Sequence, residues 1–337
     1  MSDIKLFRLA AGQATELQGS ASDLEKPLQT LIENNLESLL GIRFLASEYS
    51  TGKTHGGRID SLGLDENDCP VILEYKRSVS ENVINQGLFY LDWLMDHQAE
   101  FKLLVKDKFG DAVMASIDWN APRLICIAGD FTKYDGHAVQ QINRNIELIR
   151  YRIFGDELLL LELANASNAA STGKAQTGAQ KQATAQAQVT TQAGTPAPAP
   201  ANTPATRTDK YYAEWLDDMP ANLRELLTSL EDYIQSLGDD VQRKELKLYA
   251  AFKRLKNFAT VVLQKNRLLL YLHLNPDEIT PLPANARNVR GSGHWGTGDL
   301  ELAISRQADL DAVKPLIQMA YEGRMPDVTV TQAIIVS

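Results

Sequence analysis

The sequence predicts an α/β unit built on a mixed sheet, followed by a smaller α+β unit, and three observations carry that prediction. The chain has 337 residues, more than one typical domain and enough for two hydrophobic cores. Residues 166–209 are Ala, Thr, Gln, Gly and Pro with almost no large apolar side chain, including the run TPAPAPA from Thr195 to Ala201. Such a segment cannot bury enough surface to fold and reads as a disordered linker. Finally, helical and strand periodicities alternate before the linker, whereas after it helix comes first and strands follow. The expected boundaries are 1–165, 166–209 and 210–330.

In the first unit a short strand at Leu6–Leu9 precedes a helix over Leu24–Leu40, where Leu28, Leu31, Ile32, Leu36 and Leu39 recur at helical spacing. Asp23 suits its cap, and Pro27 is tolerated in the first turn. Strands are expected at Arg43–Tyr49, Arg58–Asp65 and Val71–Lys76, then a helix over Glu81–His97 and a strand at Leu124–Ala128. A helix near Gly136–Asn145 and a strand pair, Ile146–Phe154 and Glu157–Leu163, complete the unit. The second unit opens with helix from Tyr211 to Leu237, broken by Pro220. Strands follow at Lys247–Phe252, Phe258–Leu263 and Leu268–Leu274, the last two joined by a tight turn at Gln264–Arg267. A Gly-rich loop, Arg290–Gly298, leads to a strand at Leu300–Ile304 and a helix at Leu310–Tyr321. As a flexible coil of about 44 residues the linker would span roughly 35–40 Å, so the two units are expected to reorient almost independently.

No apolar run is long enough to span a bilayer, which argues against a membrane role. The N-terminus lacks signal-peptide layout, and Cys69 and Cys126 form no closely spaced metal motif, so a reducing cytoplasm is expected. The net charge of -9 opposes a simple polyanion-binding surface, yet charge is uneven. Residues 1–165 carry about 16 basic and 25 acidic side chains, whereas Arg243–Arg267 carries about eight basic and one acidic.

The chemistry concentrates where Gly57-Arg-Ile-Asp60, a turn at Asp65–Asp68 and Val71-Ile-Leu-Glu-Tyr-Lys76 read as one β-hairpin. Asp60 lies opposite Leu73 in one register and opposite Glu74 in the other. The second register sets two carboxylates about 5 Å apart, repelling by roughly 3 kcal/mol at an effective dielectric near 20, and so calls for a compensating cation. Glu74 and Lys76 share a strand face, while Leu73 and Tyr75 point the other way. Two carboxylates and a lysine can hold Mg2+ or Mn2+, orient a hydrolytic water and stabilise charge on a phosphodiester. The structural alternative is a polar sheet edge satisfied by Arg58, Lys76 or Arg77.

Context favours the chemical reading, because the preceding helix carries Glu33 and the following one carries Gln86 and Tyr90, an i, i+4 pair. Together these motifs over residues 20–130 resemble the PD-(D/E)XK nuclease superfamily, and within it the nuclease domain of NucS-type endonucleases. The resemblance implies a restriction-endonuclease-like core, a divalent-metal-dependent hydrolase acting on phosphodiester bonds, and nucleic acid, DNA first, as partner. By it Asp60 and Glu74 are metal ligands, Lys76 the catalytic lysine, and Glu33 an auxiliary acid for which Glu25, Glu37 and Glu48 compete. Gln86 and Tyr90 become the QxxxY pair that supports the site or touches the substrate. Ile59 stands where the superfamily's name has proline. Many enzymes of this class pair to cut two strands, which leaves a homodimer as an expectation. A competing reading keeps the fold as a non-catalytic nucleic-acid-binding scaffold.

Ser50-Thr-Gly-Lys-Thr54 lacks the first glycine and the following helix of a phosphate loop. His55, His97, His137, His273 and His294 show no zinc spacing. In the second unit Lys253, Arg254 and Lys256 lie in a basic stretch interleaved with Tyr249, Phe252 and Phe258, a pattern suited to single-stranded nucleic acid. Arg58, near Asp60, and Arg290 and Trp295, on the Gly-rich loop, join them as candidate nucleic-acid contacts. Residues Trp215–Gly323 are similar to an uncharacterised domain that accompanies such nuclease domains in bacterial proteins labelled predicted transport proteins. With no membrane span, the transport label gains no support.

Overall fold

A computed structural model describes residues 4–21, 25–76, 83–155, 157–167 and 210–323. The linker, from residue 168 on, lies outside the described residues, as do Asp23, Arg77, the start of the helix expected from Glu81, and residues 324–330.

The chain begins with a two-stranded hairpin, β1 (Leu6–Ala10) and β2 (Gln13–Leu17), and a two-residue strand, β3 (Gly19–Ser20). Helix α1 (Glu25–Asn34) stops at Asn35 and restarts as α2 (Leu36–Leu40), so the single long helix expected there is two. Then come β4 (Arg43–Ser50), the short α3 (Gly52–His55), β5 (Arg58–Leu64), β6 (Pro70–Lys76), α4 (Val83–Asp96), α5 (Gln98–Phe109), α6 (Asp111–Ser116), β7 (Arg123–Ala128), α7 (Lys133–Gln140), β8 (Asn145–Phe154) and β9 (Leu158–Ser167). These strands form a seven-stranded sheet in the order β3-β8-β7-β6-β5-β4, with β9 also paired to β8. β6, β7 and β8 are parallel and the remaining pairs antiparallel, the mixed sheet expected.

Helices α1 and α4 cover the two faces of β6, which explains its near-continuous apolar run. Leu73 and Tyr75 pack with Leu28 and Ile32 of α1. Ile72 and Leu62 pack with Leu91 and Leu94 of α4. The hairpin adopts the register that sets Ser61 against Leu73 and Leu62 against Ile72, which brings Asp60 level with Glu74.

The second unit comprises α8 (Tyr212–Asp217), α9 (Ala221–Ser236), β10 (Gln242–Glu245), β11 (Ala250–Lys253), β12 (Asn257–Leu263), β13 (Leu268–Leu272), β14 (Ala286–Asn288), β15 (Leu300–Ile304) and α10 (Gln307–Glu322). Its antiparallel sheet runs β10-β11-β12-β13-β15-β14. One sheet face packs Val261, Leu270 and Leu302 against Leu230 and Ile234 of α9 and Val313 and Ile317 of α10. The opposite face carries a smaller cluster of Val262, Leu269, Tyr271 and Val289.

The two units are docked, which corrects the expectation of independent motion. Asp65, at the turn of the β5–β6 hairpin, accepts hydrogen bonds from the Asn67 and Cys69 amides at 2.9 Å and pairs with Arg123 at 3.0 Å and Lys244 at 3.7 Å. Arg123 also pairs with Glu147 at 2.8 Å, and Lys253 reaches the same carboxylate at 2.8 Å. All five side chains are buried. Burial works against the Glu147 charge, but Arg123 and Lys253 outweigh it and hold its carboxyl down to about 2. Around the ions, Asn67 Oδ1 accepts from Tyr249 Oη at 3.1 Å and Asn257 Nδ2 at 2.8 Å. Cys69 and Ala121 pack on Leu246 and Ala251. Part of the basic stretch serves the interface: Lys253 is only 3% exposed and Lys256 donates to the Ser38 carbonyl, whereas Arg254 pairs with Asp240 inside the second unit.

Removing one partner of a buried ion group leaves the others uncompensated, at a cost of about 3–5 kcal/mol. Glu147→Ala in the full chain is therefore expected to lower unfolding free energy by about that amount in urea titrations, because Lys253 loses its carboxylate partner and Arg123 one of its two. A loss no larger than that of an ordinary surface substitution would show that the network is not what holds the units together.

Candidate functional site

The site forms where the β5–β6 hairpin opens away from its turn. The Asp60 amide donates to Glu74 Oε1 at 3.3 Å, and the Tyr75 amide donates to Asp60 Oδ2 at 3.0 Å. Each carboxylate is thus tied to the other's strand. Glu74 is 0% exposed, and its Oε2 has no hydrogen-bond partner. Burial first, and the Asp60 charge second, push the Glu74 carboxyl up to about 9, against the Asp60 amide and Lys76. Burial likewise raises Asp60, while the Tyr75 amide and Lys76 oppose it. A buried carboxylate oxygen without a partner, facing a second carboxylate, fits a divalent cation. Among the described residues no group of three or more His, Cys, Asp or Glu is arranged to hold a metal, so the fit rests on these two. Mg2+ characteristically takes one or two protein carboxylates and keeps several waters.

Gln86 and Tyr90 meet β5 from α4. Tyr90 Oη accepts from the Arg58 amide and from Gln86 Nε2, each at 3.2 Å. Gly57 permits this approach, since a Cβ there would lie 2.5 Å from the Tyr90 ring. The pair props the strand two residues before Asp60. From the other side, Gln29, 4% exposed, donates to the Asp60 carbonyl at 2.8 Å, a support that no sequence pattern marked.

Glu33 is not brought to the pair. Its Oε1 accepts from Gln29 Nε2 at 2.9 Å, Ser47 Oγ at 2.8 Å and Ser61 Oγ at 2.6 Å, and Ser61 also meets Tyr75 Oη. Ser61 and Tyr75 alternate with Asp60 and Glu74 along their strands, so Glu33 serves the α1 side of the sheet. Among its competitors, Glu48 has a field that reaches both Asp60 and Glu74, raising each. Glu48 sits in β4 at φ 53°, a strained value for a residue with a side chain. It is held by Lys26 at 2.8 Å and Arg58 at 2.5 Å. The hydrogen bond from Lys26 keeps its carboxyl below the usual range despite partial burial. Arg58, 68% exposed at its side chain, lies beside the site with its guanidinium on Glu48.

The other candidate contacts lie in the second unit. Arg290 is occupied by Asp277 and Asp299, both at 3.0 Å, whereas Trp295 is 50% exposed.

A family described as "Domain of unknown function (DUF5655)" matches residues 212–323. Over 323 residues the chain is 28% identical to an uncharacterized protein of Haemophilus influenzae, covering 95% of this chain and 100% of that one. Two solved structures are similar over part of the chain. One, an EndoMS-dsDNA2 complex, shares 21% identity at a TM-score of 0.22 over 40% of this chain and 47% of that one. The other, a repair endonuclease from Pyrococcus abyssi, shares 19% identity at a TM-score of 0.22 over 39% of this chain and 49% of that one. The chain thus spans about half the length of these two structures. Among the described residues no helix is long and apolar enough to cross a membrane.

Two outcomes follow from the geometry. A Glu with its folded pKa near 9 and an unfolded value near 4.3 makes folding take up a proton, so metal-free stability falls as pH rises between those values. The loss is about 3–4 kcal/mol at pH 7. Glu74→Gln keeps the shape without the ionisation and is expected to raise the metal-free Tm at pH 7–9, the gain vanishing below about pH 4. An equal Tm difference at every pH would contradict this. Tyr90→Phe leaves the Arg58 amide and Gln86 without their acceptor and should cost about 1–3 kcal/mol in denaturant unfolding while preserving the circular dichroism spectrum.

Proposed function

We propose that residues 1–165 are a restriction-endonuclease-like domain that hydrolyses phosphodiester bonds in DNA with Mg2+ or Mn2+, joined by the 166–209 linker to an accessory unit over 210–330. The single observation that supports this most is half-buried Asp60 paired with buried Glu74, whose second carboxylate oxygen is orphaned, and Lys76 on the same strand face as Glu74. Repelling carboxylates of this kind are costly to keep in a protein that does not bind a cation there.

In this reading Asp60 and Glu74 would hold the cation, which would supply positive charge to polarise a phosphoryl oxygen and acidify a water. Lys76 would position the attacking water and neutralise charge building on the phosphate. Lys76 also lowers the ionisation cost of both carboxylates, so the carboxylates and the lysine act as one unit. Tyr90 and Gln86 keep β5 seated, and Gln29 fixes the Asp60 backbone. Arg58 would exchange its pairing with Glu48 for a substrate phosphate, an exposed pair of this kind being worth only about 0–1 kcal/mol.

The test is a cleavage panel on single-stranded, branched, mismatched and plain duplex DNA with Mg2+ or Mn2+. Wild type is expected to nick or cut at least one form. Asp60→Ala, Glu74→Ala and Lys76→Ala should each lower the rate by two orders of magnitude or more, about 3 kcal/mol of transition-state stabilisation. Calorimetric titration with Mn2+ should give binding in wild type that Glu74→Ala abolishes. Wild type that neither cuts nor binds metal would favour the scaffold reading.

A further inference from the structure

The sheet of the second unit buries one face under its helices and leaves part of the other open, and there the fold builds a cavity of about 880 Å³. Its floor is Val262, Leu269, Tyr271 and Ala303, from β12, β13 and β15. Its walls are the β12–β13 turn with Arg267, the β14 segment with Asn285 and Arg287, and the Gly-rich loop with His294 and Trp295. That volume lies within the range of small-molecule sites.

The loop wall is fixed in place. The Thr297 amide donates to Thr260 Oγ1 at 3.0 Å, and that hydroxyl donates to the Thr297 carbonyl at 3.0 Å. Gly298, at φ 118°, lets the loop lie on β13, where a Cβ would fall 2.7 Å from the Leu272 carbonyl oxygen. Thus anchored, the loop stacks His294 on Tyr271, with ring centroids 4.7 Å apart and planes 16° apart. Trp295 stands half exposed beside them at the cavity wall. The polar groups are few and placed. Glu301, 8% exposed, accepts from Tyr271 Oη and Arg287, both at 2.8 Å. Arg267 is exposed and holds its Nε on Gln264.

We infer that this cavity binds one unpaired nucleotide, the base stacked on Trp295 beside the Tyr271–His294 pair and the phosphate at Arg267 and Arg287. A flat indole at an apolar floor takes an aromatic ring of any base, at a cost on removal of roughly tenfold or more in affinity. Two guanidiniums at the wall outnumber the one carboxylate, which favours an anion, and Glu301 offers acceptor oxygens to exocyclic amines. A free mononucleotide and one residue of a single strand present the same base and phosphate to this cavity. The cavity is separate from Asp60 and Glu74, and its occupancy is measured without cleavage.

The experiment titrates the full chain in EDTA, with AMP followed by calorimetry and with end-labelled oligodeoxyadenylate followed by fluorescence anisotropy. Saturable binding of at least one is expected, AMP alone marking a free-nucleotide site and the oligonucleotide alone a single-strand site. Trp295→Ala should weaken binding about tenfold or more, and Trp295→Phe should restore it to within about threefold. Arg267→Ala should weaken it and flatten its salt dependence. No saturable binding of either probe overturns the proposal, as does Trp295→Ala binding like wild type. Because EDTA suppresses metal-dependent turnover, a chain that cuts no DNA still answers this question.

Discussion

The pairing of β5 with β6 constrains nearly everything else in the molecule. Side chains alternate along each strand, so slipping the pair by one residue would turn Asp60 away from Glu74 and send Leu62 and Ile72 out of the α4 core. The turn fixes that register, because Asp65 gathers the Asn67 and Cys69 amides onto one carboxylate oxygen. The other oxygen of the same carboxylate meets Arg123 and Lys244. One buried aspartate thus sets the strand register that aligns the candidate site and anchors the docking of the second unit.

The two ends of the hairpin treat buried charge in opposite ways. At the turn, three cations surround Asp65 and Glu147, and the carboxyls are held ionised below their usual range. At the open end, burial drives both Asp60 and Glu74 upward and the Asp60 charge adds to the rise at Glu74, with Lys76 as the counter-charge. In the first arrangement every carboxylate has cationic partners inside the protein, which suits structure. The second leaves a buried Glu74 oxygen without a partner, which the proposed cation would satisfy.

Much of this was legible in the sequence. The strands Arg58–Asp65, Val71–Lys76 and Leu300–Ile304 lie where short apolar runs and bounding turn residues place them, because strands buried on both faces leave such runs in the local sequence. Two hairpin registers were open, and only the folded turn chose between them. Helix α5 was missed because Phe101 and Val105 alone are buried along it, too thin a stripe to stand out. Glu33 looked like the auxiliary acid from its helix, but which side of the sheet α1 covers is a tertiary fact. The positive φ of Glu48 has no sequence mark at all. Lys253 reads as a candidate nucleic-acid contact because its partner, Glu147, lies 106 residues away, and charge patterning within a window cannot see it.

That last contact bears on how this chain can change over generations. Arg123, Glu147 and Lys253 share one buried carboxylate, so a charge altered on one unit is tolerated only alongside a matching change on the other. Residues in one buried network vary together and their substitutions do not add. A chimera joining the accessory unit to a first unit without Glu147 and Asp65 would therefore meet an interface lacking its counter-charges.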